Sequence, residues 1–66
     1  MHHSIPQDIQ DKAAKATVEY PTHHVAIIRR PGGTYRIITA THAEGLQQAH
    51  RDTGGVMWSH PPMVTP

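Results

Sequence analysis

Three arginines crowd around one short turn. Arg29 and Arg30 precede Pro31-Gly32-Gly33-Thr34, Tyr35 and Arg36 follow it, and together the three guanidinium groups are half of the six lysines and arginines in the chain. Each guanidinium offers a planar fork of donors that matches a carboxylate or a phosphate, so the chemistry on offer is binding of an anion or an acidic partner rather than bond breaking. Tyr35 could hold Arg29 by a cation–π contact. The bland alternative is a charged hairpin end that keeps the protein soluble and discourages edge pairing.

Other chemistry finds little support. Cysteine is absent, which removes thiol nucleophiles, disulfides and thiolate metal sites. Neither Ser4 nor Ser59 sits in the glycine frame of a nucleophile elbow. His50 and Asp52 are close in sequence, but positions two apart on a helix do not face each other. Gly32-Gly33 and Gly54-Gly55 lack the spacing and the lysine of a phosphate loop. We therefore expect no enzyme and no cofactor.

Seven histidines invite a metal hypothesis. His2-His3 and His23-His24 are adjacent pairs, which in a strand point to opposite faces. His42 and His50 lie about two helical turns apart, and no set of three or four ligands shows zinc spacing. The expectation is no metal site, with convergence of histidines across a dimer axis left open. Protonating all seven would raise the net charge from +1 to +8, a change centred between about pH 7 and 5.

The turn needs strands on both sides, and the sequence supplies them. Residues 23–30 and 34–40 are rich in Val, Ile, Thr and Tyr, as strands are. Proline followed by two glycines and threonine suits a three-residue loop, a type I turn closed by a glycine at positive φ. That register places Val25, Ile27, Arg29, Tyr35, Ile37 and Thr39 on one face and Ala26, Ile28, Arg30, Arg36, Ile38 and Ala40 on the other. A two-residue Gly-Gly loop would instead set Arg29 opposite Arg36, where like charges repel. Both faces are apolar away from the turn, so both must be covered: by two helices, or by one helix and a partner subunit.

Candidate helices flank the hairpin. Ser4 and Gln7 form a capping-box pattern with Pro6 in the first turn, and Ile5, Ile9, Ala13 and Ala16 make an apolar stripe that ends at Tyr20-Pro21. Thr41 and Glu44 form a second capping box, opening a helix to about Arg51 with Ala43, Leu46 and Ala49 as its stripe. Gly54-Gly55 stops it, and residues 56–59 read as a third strand reached by a right-handed crossover. The expected fold is α+β in the order α-β-β-α-β, a three-stranded sheet of hairpin plus crossover strand with two helices. One domain covers residues 1–60, and 61–66 form a proline-rich extended tail. The expected core is Ile9, Val25, Ile27, Ile37, Leu46, Val56 and Trp58, with Ile28 and Ile38 on the second face.

A chain of 66 residues builds a marginal core, because ordering it costs roughly 1.5 kcal/mol per residue. Without disulfides, a homo-oligomer is the natural support, and Ile28, Ile38 and Trp58 are its candidate interface. No apolar run approaches the ~20 residues of a membrane span, and the N-terminus lacks signal-peptide regions. These features point to a cytoplasmic protein that does not enter a membrane.

The resulting expectation is a small non-enzymatic protein, a homodimer, that acts stoichiometrically on a protein partner through its basic hairpin tip of Arg29, Arg30, Tyr35 and Arg36. By class-level analogy, small phage or plasmid accessory and inhibitor proteins work this way. The alternatives are a nucleic-acid-binding hairpin, disfavoured by the net charge of +1 and a patch of only three arginines, and sequestration of a small phosphorylated ligand at a subunit interface.

Overall fold

A computed structural model describes residues 5–64 of the chain. The elements are α1 (Gln7–Glu19), β1 (His24–Arg29), β2 (Tyr35–Ala40), α2 (Ala43–Thr53) and β3 (Val56–His60). The expected α-β-β-α-β order and three-stranded sheet are both present. The sheet runs β2-β1-β3, and β1 is antiparallel to both neighbours.

Residue type explains why β1 is central. Val25, Ala26, Ile27 and Ile28 form an unbroken apolar run, and all four are buried. A strand enclosed on both faces reads this way, whereas an edge strand alternates. The flanking β2 and β3 carry polar or charged residues among their apolar ones and are only partly buried.

Register follows the three-residue loop. Val25 pairs with Thr39, Ile27 with Ile37 and Arg29 with Tyr35, while Ile28 pairs with Arg36 and Ala26 with Ile38. Arg29 and Arg36 are therefore not opposed, and the Gly-Gly alternative is excluded. On the other side of β1, Ile27 faces Trp58 and Arg29 faces Val56.

Two helices cover the two faces. Ile5, Ile9, Ala13 and Ala16 of the α1 side pack on Val25, Ile27, Tyr35, Ile37 and Trp58. On the second face α2 lies over β1 and β2, with Leu46 at 3% exposure and Ala26 and Ile28 at 0%. The second face is thus closed by the chain itself.

Several local expectations are corrected. Val56 was expected in the core but is 53% exposed. It begins an edge strand opposite Arg29, whereas α1 packs on β1 and β2. The capping box at Thr41 is not formed. His42 is the N-cap, with extended φ and ψ and no side-chain cap bond, so Glu44 falls one position too early to reach back. The helix also runs two residues beyond Arg51. Pro6 precedes α1 as its N-cap rather than joining its first turn, and its carbonyl accepts from the Ile9 and Gln10 amides. The Gln7 side chain turns forward to Asp11 at 2.9 Å, while Ser4 lies outside the described residues.

Candidate functional site

The hairpin tip is closed by its own backbone. The Gly33 amide donates to the Arg30 carbonyl at 2.9 Å, and the Arg30 amide donates to Thr34 at 2.8 Å. Gly33 has φ +91°, the conformation that the loop demands at that position. The arginine backbones are therefore set by a tight turn, but their side chains diverge. Arg29 is half-buried on the first face beside Tyr35; Arg36 lies on the second. No cation–π stack of Arg29 on Tyr35 occurs among the described residues; the aromatic contact present joins Tyr20 and His23 edge to face at 5.3 Å.

What the sequence reading missed is the contribution of α2. Because β3 is antiparallel to β1, it must start beside the end of β1, and so α2 must finish there too. Its last turn brings Asp52 and Thr53 against Arg30 and Arg36, and these four residues line a polar cleft of about 370 Å³. Arg36 Nη1 donates to Thr53 Oγ1 at 3.1 Å, placing a cation near the negative end of the helix. His50 Nε2 lies 2.9 Å from the Gly55 carbonyl and donates to it as an N–H, tying the last turn of α2 to the start of β3. Arg51, exposed in the same turn, adds a fourth guanidinium. Four of the six lysines and arginines therefore collect at one end of the molecule, with Asp52 the carboxylate among them. Only the pairing partner of β3 reveals this, and no local sequence signal encodes it.

The remaining candidate residues are dispersed. Ile28 has no exposed surface, and Ile38 and Trp58 are half-buried on opposite faces. Histidines do not converge: among the described residues no group of three or more His, Asp or Glu could hold a metal ion. A second, apolar cleft of about 480 Å³ lies between α1 and the end of β3, lined in part by Ala13, Val18, Ile27, His60 and Met63. No helix among the described residues is long and apolar enough to cross a membrane.

Comparison with known proteins adds no family to this geometry: no family model, curated protein or solved structure matches the chain.

Proposed function

We propose that the chain is a small non-enzymatic binding protein that acts stoichiometrically, docking its basic end on an acidic surface of a protein partner. Arg29, Arg30, Arg36 and Arg51 supply the charge, and Tyr35 supplies an amphipathic contact beside Arg29. The observation that carries this reading is the meeting of the hairpin with the last turn of α2, which sets Arg30 and Arg36 in one polar cleft and brings Arg29 and Arg51 to the same end of the molecule. Arg30 and Arg51 are exposed, so complementary charge would act on them mainly through association rate and orientation. The reading extends to a homodimeric, cytoplasmic accessory or inhibitor protein of the phage or plasmid type.

A nucleic-acid ligand is the second reading, and Arg51 favours it by enlarging the patch that the sequence alone displayed. The net charge of +1 weighs against it, and Asp52 in the cleft opposes any anionic ligand alike.

Fluorescence anisotropy with a labelled poly-glutamate peptide and with labelled mixed-sequence DNA separates the two. The protein-partner reading expects salt-sensitive binding of the peptide, at least about tenfold weaker in Arg30→Glu. Three phosphate contacts on DNA would instead give a log–log salt slope of about −2 to −3. Binding neither probe at low salt would remove the basic end as a docking surface.

A further inference from the structure

β3 is the outermost strand on its side of the sheet, and no backbone among the described residues pairs with its outer edge. Both helices pack on β1 and β2. The segment after β3 continues beside the chain that leads into β1, where the Val64 amide donates to the Pro21 carbonyl at 2.9 Å. It does not run along the edge.

The hydrogen-bond phase of the sheet fixes what that edge presents. Arg30 bonds to Thr34 across the hairpin, and an antiparallel ladder alternates from there. Ile28, Ala26 and His24 therefore direct their backbone groups to β2, and Arg29, Ile27 and Val25 direct theirs to β3. Their partners Val56, Trp58 and His60 turn inward to β1. Met57 and Ser59 are left with N–H and C=O groups facing outward.

Folded proteins commonly guard such an edge with lysine, proline, a bulge or a covering loop. Val56-Met57-Trp58-Ser59-His60 contains no Lys, Arg, Asp, Glu or Pro. Its first residue is an exposed valine and its middle residue a half-buried tryptophan.

We propose that a second copy of this chain covers the edge, β3 pairing antiparallel with β3 about a twofold axis at Trp58. The strand is self-complementary in this register. Met57 of one copy meets Ser59 of the other, and the reverse pairing follows by symmetry, so both outward-facing residues are satisfied. Trp58 meets its own copy on a non-hydrogen-bonded rung, where side chains approach most closely. No acidic or basic side chain of one β3 faces one of the other. The product is a continuous six-stranded sheet, β2-β1-β3-β3-β1-β2, whose first face carries the Ile27–Trp58 row across the axis.

This inference rests on the reading of the chain as a self-associating binding protein. The test uses no acidic ligand, so its failure is distinct from failure of the basic end. Sedimentation of the wild-type chain from low micromolar to submillimolar concentration should approach twice the 7.3 kDa chain mass. Hydrogen exchange should slow at the Met57 and Ser59 amides as concentration rises, while the Trp58 amide, bonded to β1, stays protected throughout. Ser59→Pro removes an outward amide and leaves the ladder to β1 intact, so it should weaken self-association at least about tenfold without changing the circular dichroism spectrum. Ser59→Thr should remain dimeric. A wild-type monomer at all concentrations overturns the proposal, and so does a dimer whose Met57 and Ser59 amides exchange freely. If Ser59→Pro does not fold, the exchange pattern of the wild-type chain still decides.

Discussion

Gly55 lies directly against the backbone of Arg29. A Cβ at Gly55 would stand 1.9 Å from the Arg29 carbonyl oxygen and 3.2 Å from the Arg30 Cα. Its φ of +84° independently disfavours any L side chain. The contact is what sets the end of α2 against the base of the hairpin, and hence what brings Asp52 and Thr53 to Arg30 and Arg36.

Gly55→Ala should therefore cost about 3 kcal/mol or more, since either the strand pairing of β3 or the turn must give way. That is a large share of the stability of a chain this short, roughly 0.05–0.15 kcal/mol per residue. Gly32→Ala is the matched control, because no atom lies within 4 Å of a Cβ there and φ is not positive. Thermal melts followed by circular dichroism should show a collapse for the first and a change within about 0.5 kcal/mol for the second. Equal melting of both would mean that the turn after α2 is not seated on the hairpin.

Burial makes a second contrast. Ile28 is 0% exposed between β1 and α2, and Ile28→Ala should cost about 2–5 kcal/mol through lost contacts and a cavity. Val56, more than half exposed on the edge strand, should tolerate alanine at a cost within about 0.5 kcal/mol. Urea midpoints of the two variants check this. Ile28→Asp is expected to unfold the chain, because it would bury an unpaired carboxylate under α2. A folded Ile28→Asp would show that α2 does not close that face.

These two residues also show how far the sequence could be read. The apolar run of β1, the type I turn closed by Gly33 and the helix stop at Gly54 are local signals, and each fixed its element and the hairpin register. Val56 was misplaced because its β-branched side chain suits any strand, and only the sheet order shows it at an edge beyond α1. The missing caps have a similar cause. Thr41 and Glu44 satisfy a spacing rule, but the chain leaving β2 enters the helix one residue later than that rule assumes. No local signal marks Arg51, because its place at the hairpin end depends on a pairing between strands far apart in sequence.

Arg36 should play two separable roles. Its bond to Thr53 Oγ1 is exposed, so Arg36→Ala should lower stability by only about 0.5–1 kcal/mol, and Thr53→Val should show most of the same loss. A double-mutant cycle on the two positions measures the coupling, which should vanish once either side chain is gone. Arg30 hydrogen-bonds through its backbone in the turn, so Arg30→Glu should leave stability within about 0.5 kcal/mol of wild type. Loss of acidic-peptide binding in Arg30→Glu at unchanged stability would then report on recognition alone.

The position of Arg51 offers the sharpest check on the basic end as a unit. If binding depended on net charge alone, removing any one cation would weaken it equally. If it depends on the cluster, Arg51→Ala should raise the dissociation constant for an acidic peptide several-fold at low salt, whereas Lys15→Ala should leave it nearly unchanged. Lys15 is exposed on α1, which covers the other face of the sheet and has Asp11 and Glu19 one turn away on either side. Its charge is thus locally offset, whereas Arg51 sits in the last turn of α2, at the end of the molecule that carries a surplus of guanidinium groups. The difference should shrink as salt shortens the range of the field to about 8–10 Å near physiological ionic strength. Anisotropy titrations of both variants at two salt concentrations measure it, and equal weakening at both positions would dissolve the cluster into a generic charge effect.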